Sequence, residues 1–229
     1  METSRLAATM VVRSAAWMAL MGVALLWPAG DWLWPQAWAF LAIFIVGGLG
    51  FGAWLIRRDP ALLASRLEVF QKGQKAWDML FLFPFLALWF AWLVVMALDA
   101  KVWRYSHVPP WANILGAGLM ALGFAATTVV FRHNSFAAPV VRIQAERGQR
   151  VIDTGPYAVI RHPMYAAAVP YLAGIPLLLG SWIGLAVVPV FVAGVSVRAI
   201  FEERTLAREL PGYAEYMRRV RFRLIPGVW

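Results

Sequence analysis

The stretch Met79–Leu98, Met-Leu-Phe-Leu-Phe-Pro-Phe-Leu-Ala-Leu-Trp-Phe-Ala-Trp-Leu-Val-Val-Met-Ala-Leu, contains twenty residues and no charged side chain. Roughly 20 apolar residues is the helix length that crosses the hydrocarbon core of a bilayer. Segments of similar character lie at Met10–Trp27, Ala37–Ile56, Trp111–Phe131, Met164–Leu179 and Trp182–Ile200. Backbone polar groups in lipid must be satisfied within their own segment. The expected fold class is therefore all-α, a polytopic membrane protein with about six transmembrane helices. The whole chain agrees, being 62% hydrophobic and 14% charged, against roughly 25% charged residues in a soluble domain. Thirteen Trp suit anchoring at the two headgroup levels. The fifth segment is short, and Gly180-Ser181 joins it to the sixth, so these two should form a tight helical hairpin. Pro170, Pro176 and Pro189 should kink it.

Charge sets the expected orientation. The net charge is +9, but the basic residues lie in the loops between apolar runs rather than in one soluble patch. That is the positive-inside pattern and argues against a nucleic-acid partner. Pro28–Gln36 has no Lys or Arg, and Asp99–Pro110 has only Lys101 and Arg104. The other side collects Arg5, Arg13, Arg57, Arg58, Arg66, Lys72, Lys75, Arg132, Arg142, Arg147, Arg150, Arg161 and the basic C-terminal segment. Both termini and the large polar segments are thus expected in the cytoplasm, with the chain in a bacterial inner membrane. The run Ala15–Trp27 follows Arg5 and Arg13 like a signal peptide, yet it lacks a small-x-small cleavage site and further spans follow at once. It reads as a retained first helix. Arg57–Trp77 reads as a loop with an interfacial helix, from Leu62, Leu63, Leu67, Val69 and Phe70 among basic residues. The chain divides into residues 1–131, four transmembrane helices, and residues 132–229, where the chemistry-bearing residues gather. There is no Cys, which excludes disulfides, thiolate metal sites and a Cys nucleophile.

Two constellations stand out. The first is Gly155–Tyr165, Gly-Pro-Tyr-Ala-Val-Ile-Arg-His-Pro-Met-Tyr. Gly155-Pro156 signals a turn. Pro163 suits the first turn of a helix, which puts Arg161 and His162 at the N-terminal edge of the fifth span, where exposed N–H groups favour an anion. Polar groups buried there without partners would cost several kcal/mol each, on the order of other unpaired polar groups. A polar cofactor docking at that edge would supply partners; the plainer alternative is a set of interfacial anchors. The second constellation is Arg198, Glu202 and Glu203. Arg198 and Glu202 are spaced i, i+4 and share a helix face, while Glu203 points about 100° away. They form either an ion pair at the membrane edge or a site in which Arg198 holds a substrate group and Glu202 a cofactor. Gly116-Ala117-Gly118, Gly48 and Gly52 read as helix-packing positions. Arg218, Arg219, Arg221 and Arg223 read as a surface facing lipid headgroups. His107, His133 and His162 lack metal-ligand spacing, so no metal is expected.

Gly155–Tyr165, a helical hairpin, Arg198-x-x-x-Glu202-Glu203-x-x-Leu206, Gly212-Tyr213-x-x-Tyr216 and Leu224-Ile225-Pro226, in that order, resemble the isoprenylcysteine carboxyl methyltransferase family. Its superfamily includes phospholipid N-methyltransferases and small-thiol S-methyltransferases. The similarity runs from about Asn134 to the C-terminus. It implies S-adenosyl-L-methionine as cofactor, bound on the cytoplasmic side without a Rossmann domain. The implied cofactor contacts are Gln144, Gln149, Arg150, Val151, Ile152, Tyr157, His162, Pro163, Met164, Tyr165 and Glu202. Arg198 is implied to face the substrate, and Arg198 with Glu202 to be catalytic. The chain differs from the eukaryotic prenylcysteine enzymes in its shorter length, its acidic run of two and Ala166-Ala167 after Tyr165.

The implied acceptor is lipophilic or small: an isoprenylcysteine-like carboxylate, a phospholipid amine or a thiol, reached from the surrounding membrane lipids. Tyr157 or Tyr165 would face the sulfonium, a cation–π contact of roughly 0.5–2 kcal/mol. A carboxylate acceptor needs no general base, whereas a thiol or protonated amine does, and Glu203 is a candidate. A membrane sterol-type reductase using NADPH shares the Gly-Pro-Tyr…Arg-His-Pro-x-Tyr segment and is the rival enzyme class. A non-catalytic scaffold or transporter is the other alternative; the charges at span ends argue against an ion path.

Overall fold

The computed structural model describes residues 3–68, 71 and 73–229. Val69, Phe70 and Lys72, which belong to the expected interfacial segment and basic side, lie outside the described residues. Among the described residues eight α-helices follow one another: α1 Thr3–Ala29, α2 Pro35–Arg58, α3 Pro60–Leu67, α4 Ala76–Ala97, α5 Pro110–His133, α6 Pro163–Leu179, α7 Trp182–Glu209 and α8 Tyr213–Arg219. A π-helical turn, Leu98–Trp103, extends α4. No strand occurs among the described residues, where the sole β-type pairing is a parallel bridge between Ile160 and Phe222.

Five of these helices, α1, α2, α4 with its extension, α5 and α7, are long and apolar enough to cross a membrane. The expected six spans therefore become five long helices and one shorter apolar helix, α6, of 17 residues. Its limits are local. Pro163 opens it, and Gly180, in the left-handed region at φ 85°, closes it. Ser181 then caps α7 by accepting from the Gly184 amide at 2.8 Å, giving the hairpin expected from Gly180-Ser181. The helix continues past the end of the apolar run at Ile200, as expected of a segment broken only at Pro211-Gly212, and α7 ends at Glu209. At 1.5 Å per residue it is about 42 Å long, enough to leave its last turns beyond a hydrocarbon core of about 30 Å.

Lipid tails are as apolar as the helix surfaces, so close packing and specific polar contacts hold the bundle together. A side chain at Gly116 would collide with the backbone of Gly174 and Leu178, and one at Gly123 with Tyr171. The two glycines bring α5 and α6 into backbone contact. Gly118 and Gly48 face open space, so only Gly116 and Gly52 of the expected packing positions act as such; Gly52 accommodates Met10. Asn113 on α5 donates to the Leu177 and Leu178 carbonyls at 2.8 and 3.2 Å, satisfying acceptors at the end of α6. The main core joins α1, α2, α4, α5, α6 and α7 around Trp34, Phe40, Trp92 and Phe191. At one end of the bundle Asp99 accepts from Ser106 and Ser181, and Lys101 pairs with Asp31 at 2.7 Å.

At the opposite end lie the α2–α4 connection, the long α5–α6 connection and the C-terminal segment. Asp59 caps α3 through the Leu62 amide, with Leu62 and Leu63 buried. Arg66 on α3 donates to the Ala137 carbonyl at 2.9 Å, and Lys75 pairs with Glu209 at 2.7 Å. These contacts gather segments distant in sequence around the end of α7.

Candidate active site

A polar cavity opens at this end. Gln149, Arg150, Val151, Ile152, Tyr157, His162, Met164, Tyr165 and Glu202 all line it. They arrive from three directions: the loop after α5, the start of α6 and the far part of α7. Asn134, Phe136, Tyr213 and Tyr216 complete the lining.

Three expected residues do not line it. Pro163 is the first residue of α6 and sets the helix start. Gln144 is 1% exposed; its side chain donates to the Phe136 carbonyl at 2.7 Å and its amide donates to Gln149 at 2.6 Å, so it shapes the loop that carries Gln149. Arg198 lies behind the wall, and its Nε donates to Asp78 at 2.9 Å, Nη1 to the Tyr165 hydroxyl at 2.7 Å and Nη2 to the Pro139 carbonyl at 2.9 Å.

The adjacent acids on α7 part company, as the 100° step per residue requires. Glu203 turns inward, 2% exposed, and accepts from Arg161 at 2.6 Å and Arg223 at 2.9 Å, with His162 Nε2 at 3.1 Å. Its oxygens face these cations and the ring, and Glu203, the candidate base, does not line the cavity. Glu202 turns to the cavity and accepts from the Tyr165 hydroxyl at 2.6 Å through Oε2. A continuous polar chain thus runs Asp78–Arg198–Tyr165–Glu202. His162 stacks on Tyr165, the rings 5.4 Å apart and 9° from parallel.

The C-terminal segment builds the floor. Arg161 and His162 amides donate to the Phe222 and Arg223 carbonyls, both at 2.9 Å. The Arg161 side chain donates to the Val220 and Arg221 carbonyls at 2.6 and 2.8 Å. The terminal Trp229 carbonyl accepts three amides, from Arg223, Leu224 and Ile225. Arg161 is therefore a buried clamp, and Arg223 faces Glu203 rather than lipid headgroups. Tyr216 donates to the Tyr157 carbonyl at 2.8 Å, and Asn134 to the Tyr157 hydroxyl at 2.8 Å. Burial pushes the Tyr157 phenol above its ordinary value, which keeps it neutral. Asp78, with 0% exposure, escaped the sequence reading. Its signal was an acid in the first turn of the most apolar run, where an ionisable residue is costly unless paired.

A second, largely apolar cavity of about 820 Å³ lies between α1 and α4, and Val140 lines both. Residues 137–141 form the strap between them. The Arg198 and Arg66 bonds hold it, as does a bond of 2.8 Å from the Val141 amide to Asp78.

Residues 111–211 match the phospholipid methyltransferase family. The phospholipid methyltransferase match begins in α5, contains the polar loop, the hairpin and both acids, and ends just before Gly212. It is consistent with the membrane methyltransferase superfamily that the motifs resemble. No curated protein matches the chain.

Proposed function

We propose that the protein is an S-adenosyl-L-methionine-dependent methyltransferase of the membrane, acting on a lipophilic or small acceptor. The supporting observation is the convergence of Glu202, Tyr157, His162 and Tyr165 on one cavity from separate stretches of chain. The residues present fit the cofactor's chemistry. Glu202 keeps Oε1 without a donor among the described residues and can accept from hydroxyl or ammonium groups. Arg142 and Arg150 line the same cavity and suit a carboxylate, and Phe136 and the tyrosines suit a flat base or a cation.

The cofactor supplies an electrophilic methyl group on a positively charged sulfur. The chain's task is then positioning and exclusion of water. Glu202, Tyr157, His162 and Tyr165 would hold the cofactor, which would supply its methyl group to an acceptor nucleophile and keep the bonding pair on sulfur. Residues 132–229 would carry this chemistry. Arg198 acts as a positioning residue. It fixes Tyr165, which holds Glu202, and it fixes the strap that separates the two cavities.

The test is calorimetric titration of the detergent-purified protein with S-adenosyl-L-methionine. Incubation with the methyl-labelled cofactor and a panel of prenylcysteine analogues, phospholipids and thiols follows, tracking the label. Saturable binding and label in one acceptor class are expected. Binding of NADPH with no response to S-adenosyl-L-methionine would overturn the reading in favour of a reductase.

A further inference from the structure

The turn Leu224–Trp229 belongs to none of the long helices, yet it presents apolar side chains outward. Ile225 is 54% and Val228 75% exposed, and Pro226 and Gly227 between them are exposed as well. Its inner side is fixed. Leu224 is buried in one cluster with Tyr165 of α6 and Val195 and Ala199 of α7, and Trp229 packs against that cluster. The turn therefore lies beside the start of α6.

Helix length gives the depth of this turn. α6 has 17 residues, about 25 Å at 1.5 Å per residue, less than the ~30 Å of hydrocarbon in a bilayer. The far end of α6 is the Gly180-Ser181 hairpin, where the exposed Trp182 suits a headgroup level. At the near end the Arg161 and His162 amides meet the Phe222 and Arg223 carbonyls. That end thus falls at the boundary between the acyl chains and the opposite headgroups. Irregular backbone at such a depth must be satisfied within the protein, and this turn satisfies its own. Arg223, Leu224 and Ile225 donate to the Trp229 carbonyl at 2.9, 3.0 and 3.1 Å, and Val228 and Trp229 donate to the Ile225 carbonyl at 3.1 Å. Pro226 has no N–H to satisfy. Gly227, at φ 79°, supplies the left-handed step that closes the turn. Arg221, just before it, is exposed and forms no ion pair among the described residues.

We propose that Leu224–Trp229 is a lipid-facing wedge, with Ile225 and Val228 among the upper acyl chains of the adjacent leaflet and Arg221 on a lipid phosphate. Bilayer lipid is the occupant because the turn sits at the membrane depth of the α6 start with its backbone already satisfied. A cation beside outward apolar side chains is also the pattern of an interfacial anchor. The same segment floors the polar cavity. The Phe222 and Arg223 carbonyls hold the residues that open α6, and the Arg223 side chain donates to Glu203 at 2.9 Å. His162 and Tyr165 line the cavity from that same turn of helix. The bilayer thereby clamps the cavity floor and supports cofactor binding, a coupling that rests on the methyltransferase reading.

The chain has no Cys, so Val228→Cys takes a single bimane label in the full-length protein, reconstituted into phosphatidylcholine–phosphatidylglycerol nanodiscs. Quenching is measured with lipids brominated on the upper acyl chain and with aqueous iodide. Val197→Cys on the exposed face of α7 gives the lipid standard, and Ala145→Cys in the α5–α6 connection gives the aqueous one. Bromine should quench the Val228 label at least half as strongly as the Val197 label, and iodide should quench it far less than the Ala145 label. Unlabelled Val228→Asp puts a charge among acyl chains. It should speed tryptic cleavage at Arg221 and Arg223 and weaken S-adenosyl-L-methionine binding, each by roughly threefold or more, whereas Val228→Leu should match the parent. A Val228 label that responds to iodide like Ala145 overturns the wedge. So does a label shielded from both quenchers, as a second copy of the chain would shield it, or a Val228→Asp tail cut no faster than the parent's. Unchanged calorimetric affinity for S-adenosyl-L-methionine in Val228→Asp, with the parent binding, overturns the coupling. Quenching by bromine in a parent protein that binds no S-adenosyl-L-methionine leaves the wedge and removes the methyltransferase reading.

Discussion

Glu202 and Glu203 are neighbours in sequence with opposite expected consequences when changed. Glu203→Ala removes the acceptor of Arg161, His162 and Arg223 at once. Arg161 and His162 are each 6% exposed, so little water reaches them to replace the lost carboxylate. Removing one partner of a buried charge pair costs about 3–5 kcal/mol, because the other is left uncompensated. At roughly 2–4 °C per kcal/mol for a chain of this size, the melting temperature should fall by about 6–20 °C. The Gln variant keeps an acceptor and should lose less. The same change frees the C-terminal segment, since Arg161 also holds the Val220 and Arg221 carbonyls. Trypsin should then cut faster at Arg218–Arg223. Glu202→Gln, by contrast, disturbs one hydrogen bond from Tyr165 and should shift the melting temperature by no more than a few degrees. Scanning fluorimetry and timed proteolysis in detergent read both effects. A Glu203→Ala protein as stable and as protease-resistant as the parent would refute the hub, and equal losses in both variants would refute the division of labour.

Three further outcomes follow from the geometry. Glu202→Ala should weaken S-adenosyl-L-methionine binding by roughly 10–100-fold, as expected for loss of hydrogen bonds of about 1.5–3 kcal/mol to a charged acceptor; unchanged calorimetric affinity would remove Glu202 from the cofactor site. Arg198→Ala should sharply lower turnover and, through Tyr165 and Glu202, also weaken cofactor binding, but it also strands Asp78. Adding Asp78→Asn should restore thermal stability without restoring turnover, and recovered turnover in the double variant would mean the guanidinium is dispensable for positioning. Gly116→Val should destabilise the protein by about 1–3 kcal/mol through overpacking, whereas Gly118→Val, facing open space, should be close to neutral by the same melting assay.

Hydropathy reveals the long helices because each satisfies its backbone internally, and this requirement acts residue by residue. It gives less at helix ends. α6 and α7 differ in length because Pro163, Gly180 and Pro211-Gly212 interrupt or release the helix, while the apolar run alone ends α7 too early. The order of the motifs likewise marks the residues of the polar cavity, since Gly155–Tyr165 and Glu202 are separated by a single hairpin. Gln144 and Arg198 carry the right chemistry at the right spacing, yet spacing does not tell which side of a wall a side chain occupies.

The sequence by itself determined an all-helical membrane chain, the hairpin at Gly180-Ser181 and the pairing of two polar stretches across it. These depend on local hydropathy, turn chemistry and helical periodicity. Only the tertiary structure decided that Glu203 is a buried hub and Glu202 a cavity wall, that Asp78 neutralises Arg198 across 120 positions of chain, and that Arg66 lines an apolar cavity. A charge buried in low dielectric must find its counter-charge in space. The partner can come from any segment that packing brings within a few ångströms.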